Sequence, residues 1–360
     1  MKRRSFVQFF GLAALGTPLV SHAQDSIAGD KTLVSASQSE PDVLIYSNLP
    51  NYVWKPFRDL LGHTYPWIKL ATTDMGAELW ERYFAESAAG TRTADIITTT
   101  APDRIADFID RGEMMPYVST QSDALPAWSR PETGLYTISA SPAILMYNRF
   151  LVKEPPQSIR DIVAMANDDP KGMRGRISTY DAAANPFGTA MFATWLRGKD
   201  NDWPVLEPIG PLTRPETGTA VQREKLMTGE YKVAFFSSSV SLVALERPEV
   251  KRLVGWDYIK DGTMVALQGA LITKRAKSPN SAKLVMDLML SREGQRALAT
   301  SGMTPYRSDI EQAGLPFNTL QTVRDKIGEE NLIYYNYDRK QLASWPQVVE
   351  KWKSVFKAGR

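Results

Sequence analysis

The chain has 360 residues, which is enough to bury one or two hydrophobic cores without help from disulfides. It contains no cysteine, and this excludes disulfides, thiol nucleophiles and every cysteine-based metal site. Its 43 basic and 40 acidic residues leave a formal net charge of only +3, which lacks the basic footprint of a nucleic-acid-binding protein.

The N-terminus has the order of segments that is typical of a secretory signal peptide. Residues 1–4 carry three basic side chains, residues 6–20 are apolar or small, and residues 21–23 end on a small residue before Gln24. The apolar run is shorter than the roughly 20 residues that a membrane-spanning helix needs. We therefore expect a signal peptide over residues 1–23 and a mature protein in the periplasm.

The signal peptide also bears on the export route and on the charge. Arg3 and Arg4, followed by Ser5-Phe6-Val7, are similar to a twin-arginine motif, and the Sec and twin-arginine routes both stay open. Cleavage would remove three positive charges and no negative ones, so the mature chain is formally neutral. We expect such a protein to bind neither nucleic acid nor an anionic membrane surface.

Catalytic motifs are missing from the sequence. After cleavage His63 would be the one histidine left, a weak basis for a Ser-His-Asp triad and none for a multi-histidine zinc site. The chain lacks a nucleophile elbow, a P-loop and a dinucleotide-binding glycine fingerprint. We expect no enzyme, no metal ligand and no cofactor, and paired carboxylates of a glycosidase remain the enzymatic alternative.

Alternating elements begin after a polar stretch. Residues 24–41 are rich in serine, alanine, glutamine and charge, and predict a flexible tether. Short apolar strands are then predicted at 43–46, 67–71 and 94–97, with apolar residues at helical spacing between them. Strands separated by helices indicate βαβ units and a parallel sheet.

A second series of elements follows. It comprises a long strand over 136–147 with Pro142 in its middle, strands at 176–178, 233–236 and 265–273, and helices at 186–197 and 282–290. The pattern indicates a second α/β half, as expected for a chain too long for one comfortable core.

Three of the predicted strands end in polar clusters, namely Ser47-Asn48, Thr99-Thr100 and Ser237-Ser238-Ser239. Ligands of open parallel sheets bind beyond the carboxyl ends of the strands, where helix N-termini supply N–H groups and positive potential. The same residue types are preferred helix N-caps, so capping alone stays an alternative for each cluster. Their presence in both halves favours a ligand-binding cleft.

Several short stretches resemble one known family in their order and spacing. They are residues 43–47, Gly76-Ala77-Glu78-Leu79 with Arg82, Ala94-Asp95-Ile96, Tyr147-Asn148, and residues 274–309 with Gly302-Met303-Thr304-Pro305. The family is the extracellular solute-binding proteins of ABC importers, in its ferric-iron, thiamine and phosphonate branch. The resemblance covers about residues 42–310.

This resemblance implies a two-lobed α/β clamshell of the type 2 periplasmic-binding fold, each lobe a mixed, mostly parallel sheet flanked by helices. The lobes would be residues 42–138 plus 265–305 and residues 139–264 plus 306–360, with crossing strands near 139–142 and 256–265. The implied function is capture of a small-molecule solute by hinge closure and its delivery to an inner-membrane ABC permease. We expect a monomer.

The ligand class is predicted from a departure from the family. Ferric members present a tandem tyrosine pair just after the strand that matches 233–236, and here Ser237-Ser238-Ser239 follow that strand. This argues against ferric iron and favours an organic anion such as a phosphonate, a phosphate ester or a carboxylate. The pair Tyr334-Tyr335 lies far outside the matching segment and is expected to pack.

Hydroxyl and amide side chains of both lobes are the expected ligand contacts. The candidates are Ser47, Asn48, Thr73, Thr99, Thr100, Ser139, Thr179, Asn185, Ser237 and Ser238. Three alternatives stay open: ferric iron in the same fold, a polyamine that would need carboxylates such as Asp181, and a receptor subunit that signals rather than transports.

Overall fold

The computed structural model describes residues 30–356. Its strands are β1 (Val43–Ser47), β2 (Leu70–Asp74), β3 (Ile96–Thr99), β4 (Leu135–Asn148), β5 (Ile177–Tyr180), β6 (Thr213–Glu216), β7 (Val233–Ser238), β8 (Val254–Tyr258), β9 (Thr263–Ile272) and β10 (Leu332–Tyr334). Strands and helices alternate along most of the chain, as the sequence predicts.

The α-helices cover both faces of the sheet system and supply the helix starts discussed below. They are α1 (Lys31–Ser37), α2 (Lys55–Thr64), α3 (Glu78–Ala88), α4 (Pro102–Asp110), α5 (Ile159–Asp168), α6 (Pro170–Met173), α7 (Pro186–Trp195), α8 (Trp203–Leu206), α9 (Thr219–Met227), α10 (Leu242–Leu245), α11 (Pro248–Lys251), α12 (Pro279–Leu290), α13 (Arg292–Ala299), α14 (Leu320–Ile327), α15 (Arg339–Leu342) and α16 (Trp345–Phe356).

The strand order divides the sheet into two halves. It is β2-β1-β3-β9-β4-β7-β5-β6, with β10 paired to β9 and β8 paired to β4. In the first half β1 runs parallel to β2 and β3, and in the second half β5 runs parallel to β6 and β7. Strand β9 lies antiparallel between β3 and β4. The result is a mixed α/β fold with one parallel group in each half.

The long strand β4 joins the two halves. Its residues 135–142 pair with β9, and its residues 143–148 pair with β7 and β8. All 14 of its residues are buried. Pro142 stands at the last pair with β9, next to the point where the partners change, which is a position where a strand tolerates the missing N–H. The chain crosses a second time between β8 and β9.

Each half has its own aromatic packing. In the first half Tyr83 lies edge-on to Phe108 with ring centroids 4.9 Å apart, and Trp80 lies 5.6 Å from the same ring. In the second half Phe192 of α7 contacts Trp352 of α16 with centroids 6.1 Å apart. These aromatic groups belong to one hydrophobic core that runs through both halves.

Residues 31–37 form helix α1, so the flexible tether predicted over 24–41 is wrong for this part. Helix α1 packs against α12, and the Glu40 carboxylate accepts from the backbone N–H groups of Asn280 and Ser281 at 3.0 and 2.7 Å. Those amides lie in the first turn of α12, where a helix offers no internal acceptor. A distant helix start therefore orders a segment whose composition alone predicts disorder.

The predicted signal peptide and residues 24–29 lie outside the described residues. Within residues 30–356, no helix is both long and apolar enough to cross a membrane.

The last described segment, residues 332–356, contacts both halves, and we call it the C-terminal strap. Its strand β10 pairs with β9. Arg339 then forms ion pairs with Asp110 at 2.9 Å and with Glu132 at 2.6 Å, both of which precede β4. Helix α16 returns to the second half and packs against α7.

Candidate functional site

A cavity of about 380 Å³ lies between the two halves, at the carboxyl ends of β1, β3, β5 and β7. The crossing strands β4 and β9 contribute Ser141 and Gln268 to its lining. Cavities of roughly 300–1,000 Å³ are typical of small-molecule sites, so this one suits a small organic ligand. Its position at the strand ends is where open α/β sheets bind ligands.

The first half presents a hydrogen-bonded polar wall. The Asn48 amide donates to the Thr100 hydroxyl at 2.9 Å, and Gln268 donates to the Asn48 side-chain oxygen, also at 2.9 Å. The same Gln268 nitrogen lies 2.9 Å from the Thr98 hydroxyl, to which it also donates. These bonds hold the wall in one arrangement before a ligand arrives. In the described part of the chain no hydrogen bond engages the neighbouring Thr99 hydroxyl, which lines the cavity.

In the second half, an irregular turn of β7 brings Ser238 to the cavity. The pairing register of β7 with β4 shifts here, and Phe236 has a φ of 59°, in the left-handed region that aromatic residues rarely adopt. After this bulge the Ser237 side chain points inward, and its hydroxyl donates to Gln222 at 2.8 Å. Ser238 lines the cavity instead, and among residues 30–356 its hydroxyl makes no hydrogen bond.

The charge around the cavity is mixed. Its charged lining residues are Arg104 in the first turn of α4 and Asp74 at the end of β2. The Arg104 side chain is 55% exposed, and its nearest carboxylate, on Asp103, lies 3.7 Å away, beyond an ordinary hydrogen bond. Of the helices that begin beside the cavity, α7 and α9 have no acidic residue in the first turn, whereas α3 and α4 carry Glu78 and Asp103 there. Helix starts carry partial positive charge, which adds to that of Arg104.

Two further arginines of the second half act near the cavity. The positive charges of Arg223 and Arg247 oppose the rise in the pKa of Tyr52 that burial causes. Tyr52 belongs to the first half and lies two residues after Pro50, which lines the cavity. Positive charge therefore reaches across from the second half toward this rim.

The tyrosine of the cavity lining is held as a neutral phenol. Tyr180 ends β5, and its hydroxyl lies 2.8 Å from that of Thr219 and accepts from the Thr219 backbone N–H at 3.2 Å. Burial raises the pKa of Tyr180. A phenol in this environment resists the ionisation that coordination of a hard cation requires.

Five of the ten predicted contact residues line the cavity. They are Asn48, Thr99, Thr100, Asn185 and Ser238. Asn185 is also the N-cap of α7, since its side-chain oxygen accepts from the Phe187 N–H. Capping and cavity lining are thus combined at this position, and contact with a ligand stays a prediction for all five.

The other five predicted residues do not line the cavity, and those expectations are corrected. They are Ser47, Thr73, Ser139, Thr179 and Ser237. Ser47 accepts from the Leu49 N–H at 2.9 Å, and the Ser139 hydroxyl donates to the Thr304 carbonyl at 3.1 Å. Thr179 is fully buried on β5, and Thr73 lines a neighbouring depression that shares Asp74 and Met75 with the cavity. After Ser47, Thr73, Thr179 and Ser237 the next residue along the chain lines the cavity instead, because neighbouring strand residues point to opposite faces.

Sequence reasoning missed several lining residues, chiefly Arg104, Gln268, Ser141 and Thr217. Two of them carried a usable signal. Arg104 follows Thr99-Thr100 within the first turn of a helix marked by Pro102, and Gln268 is a lone amide inside the apolar strand β9. A buried amide in such a strand needs polar partners, which indicates a polar neighbour across the sheet.

Possible metal ligands are not grouped in the described residues. No cluster of three or more histidine, aspartate or glutamate side chains is placed to hold a metal ion there. Tyr334 packs against Trp128 with ring centroids 4.9 Å apart, and Tyr335 is 3% exposed. Neither tyrosine lines the cavity, so this pair packs as expected.

Comparison with known families identifies the class of protein. Residues 68–304, well over half of the chain, match the family described as "Bacterial extracellular solute-binding protein". The chain therefore belongs to this family, and the resemblance seen in its short motifs is confirmed. Membership also confirms the expectation that the protein is not an enzyme. A comparison with curated proteins finds no match.

Solved structures agree on the fold. The substrate-binding protein of an ABC transporter from Agrobacterium tumefaciens aligns with a TM-score of 0.76 and 20% identity, over 90% of this chain and 96% of that one. Iron-bound HitA from Pseudomonas aeruginosa aligns with a TM-score of 0.68 and 17% identity, over 87% of this chain and 99% of that one. AfuA from Actinobacillus pleuropneumoniae, with fructose-6-phosphate bound, aligns with a TM-score of 0.66 and 19% identity, over 88% of this chain and 98% of that one. The type 2 periplasmic-binding fold is thereby confirmed.

Proposed function

We propose that this chain is the periplasmic substrate-binding component of an ABC importer and that it captures a small organic anion between its two halves. A phosphonate, a phosphate ester or a carboxylate would fit. The observation that carries the proposal is the group of hydrogen-bond donors at the cavity, namely the Arg104 guanidinium and the starts of α7 and α9, which have no acidic residue in their first turns. Such an arrangement favours anions both through charge and through N–H donors.

Hinge closure is supported by the split of the polar groups between the halves. Thr99 and Arg104 belong to the first half, and Ser238 and Asn185 belong to the second. A ligand that bonds to both sets binds the closed arrangement more tightly than the open one, and this difference shifts the population toward closure. The halves are connected along β4 and between β8 and β9, which are narrow joints for such a motion.

Ferric iron is disfavoured by the chemistry of the lining. One of the similar structures is iron-bound and another holds fructose-6-phosphate. Serines stand where the ferric members place tyrosines, and burial raises the pKa of Tyr180. Neutral hydroxyls, amides and an arginine are poor ligands for Fe³⁺. They are good hydrogen-bond donors to the oxygens of a phosphate ester or carboxylate.

A polyamine is also disfavoured. Asp181, the carboxylate that such a ligand would need, accepts from the backbone N–H groups of Ala183 and Ala184 at 2.9 and 3.1 Å. It is not among the lining residues, which leaves Asp74 as the acid of the cavity. A cavity lined by one carboxylate and one arginine is a poor match for a multiply charged cation.

The decisive experiment is analysis of protein purified from the periplasm without unfolding. Native mass spectrometry should show a small organic molecule that is released when the protein is denatured, and that carries a phosphate, phosphonate or carboxylate group. Elemental analysis of the same sample should show no stoichiometric iron. One tightly bound iron per chain, or a released amine, would contradict the anion proposal.

The transport role is tested separately from the ligand. Genes for a permease and an ATPase beside this one would support an importer, whereas a neighbouring sensor kinase gene would favour the signalling alternative. Delivery to a permease is then measured as uptake of the identified ligand by cells with and without this protein. Unchanged uptake in the deletion strain would contradict the importer role.

A further inference from the structure

The cavity has a second chemical character besides its polar walls. A group of apolar side chains from both halves lines it, namely Met75, Trp80, Phe187, Met191, Val240 and Met303. The polar groups described above occupy the strand ends and helix starts. The ligand space therefore offers apolar surface as well as hydrogen-bonding groups.

Some of these apolar side chains are accessible to a ligand, and others are fixed by packing. Phe187 and Val240 are half-buried, so each keeps free surface at the cavity. Trp80 is 7% exposed and packs against Phe108 with ring centroids 5.6 Å apart, and Met191 is fully buried in α7. Phe187 rests edge-on against Tyr180 with centroids 5.1 Å apart, which limits its movement. A packed surface of this kind offers contact without a large ordering cost.

This surface discriminates between classes of organic anion. A ligand with hydroxyls along its body would place most of them against side chains that offer no hydrogen bond, the indole N–H of Trp80 excepted, and such groups lose their water without compensation. A ligand with a hydrocarbon or aromatic body gains by removing both surfaces from water. The volume of about 380 Å³ is also far more than a single inorganic anion fills.

We propose that the solute is an amphiphilic organic anion, whose charged group lies toward Arg104 and whose apolar, ring-sized body lies against Trp80 and Phe187. This inference rests on the proposed function and narrows it to one ligand class. It predicts that affinity grows with the apolar body when the charged group is held constant.

Two pairs of probes test the proposal, each matched in its anionic group. They are phenyl phosphate against methyl phosphate, and benzoate against acetate, titrated into ligand-free protein by calorimetry. Phenylethylamine serves as a cationic probe of the same ring. In the pair that binds, we expect the aromatic member to bind at least about tenfold more tightly, because the ring removes apolar area from water.

Phe187→Ala should remove most of that difference, while Phe187→Leu should retain most of it. The matched control is Phe150→Ala, which changes a 61% exposed phenylalanine that is not part of the cavity lining. Thermal melting of each variant checks that Phe187 acts on binding rather than on folding.

The outcomes separate the two proposals. Equal affinity for the aromatic and small members of a pair, or an affinity difference that survives Phe187→Ala in a folded protein, would overturn the amphiphilic ligand and leave the anion proposal standing. Binding of phenylethylamine without any of the anions would overturn the anion proposal. Failure of all five probes would overturn both.

Discussion

The protein contains two regions rich in hydroxyls that differ in how completely they are hydrogen-bonded. In the first region, the Asp287 cluster, the carboxylate of Asp287 accepts from the Tyr117 hydroxyl at 2.9 Å, the Ser119 hydroxyl at 2.6 Å and the Thr120 hydroxyl at 2.8 Å. In the second region, the cavity, the hydroxyls of Thr99 and Ser238 make no hydrogen bond to the described residues. The same residue types are structural where their bonds are satisfied within the protein and available for a ligand where they are not.

The largest effect should come from the satisfied region. Asp287→Ala removes the shared acceptor of the Tyr117, Ser119 and Thr120 hydroxyls, and the Ser119 hydroxyl is then left buried without it. We expect the free energy of unfolding to fall by about 3 kcal/mol, measured by urea denaturation. The affinity of the folded variant for its ligand should be unchanged, because the cluster is outside the cavity. A stable variant, or one that folds normally and no longer binds, would break the distinction between the regions.

The second prediction concerns charge in the unsatisfied region. Arg104→Gln removes the guanidinium that lines the cavity, and affinity for the anion that binds should fall roughly tenfold to a hundredfold, since hydrogen bonds to charged groups are strong. Arg111→Gln is the matched control, because it removes the same charge at the far end of α4, where Arg111 pairs with Asp107 at 2.9 Å. Calorimetry should show an intact affinity for the control. Equal losses of affinity in both variants would mean that Arg104 acts only through the net charge of the protein.

The third prediction compares the neighbouring residues Thr98 and Thr99, whose substitution should affect stability and ligand affinity differently. Thr99→Val should weaken binding by about fivefold and leave stability intact, because that hydroxyl has no partner among the described residues. Thr98→Val should instead lower the free energy of unfolding by about 1 kcal/mol, because the Thr98 hydroxyl accepts from Gln268. Binding and urea denaturation measured on both variants decide the matter. A stability loss in Thr99→Val would mean that its hydroxyl is structural.

The smallest predicted effect is a pH dependence of stability. The Arg307 guanidinium bonds to Asp309 at 2.6 Å and holds the pKa of that carboxyl below its usual value. The folded state therefore favours the carboxylate, and this stabilisation is present above about pH 4 and is lost as the pH falls below it. Since Asp309 is 48% exposed, solvent limits the effect to less than about 1 kcal/mol. Asp309→Asn should lower stability at pH 6 and make no difference near pH 2, measured by urea denaturation.

Much of the fold follows from local patterns in the sequence. Apolar runs and helical spacing place β4, β7, β9 and α7 within a few residues of their observed bounds, because short-range periodicity reports which faces are buried. Strands β6 and β10 escape this reasoning. Each has only three or four residues, and each is defined by the neighbour with which it pairs rather than by its own sequence.

The site was predictable only in part, for two physical reasons. The orientation of neighbouring side chains depends on strand register, so Ser237 and Ser238 could not be separated without the bulge at Phe236. Gln268 acts through Asn48, 220 residues away in sequence, and such pairing depends on topology. The sequence shows the polar clusters at the strand ends. It does not show which of their side chains line the cavity and which point into the interior.

The C-terminal strap bears on the freedom of the joint between the two halves. It rests on the first half through Arg339 and on the second through α16, so it spans the joint beside the two covalent crossings. With the strap as a third connection, the two halves resist twisting more than with the two crossings alone. The halves would then rotate relative to each other about a narrow range of axes. The Arg339 pairs are partly exposed and are weakened by salt, which leaves the crossings intact. Under the proposed hinge closure, higher ionic strength would therefore let the two halves move further apart and leave the residues that line the cavity unchanged.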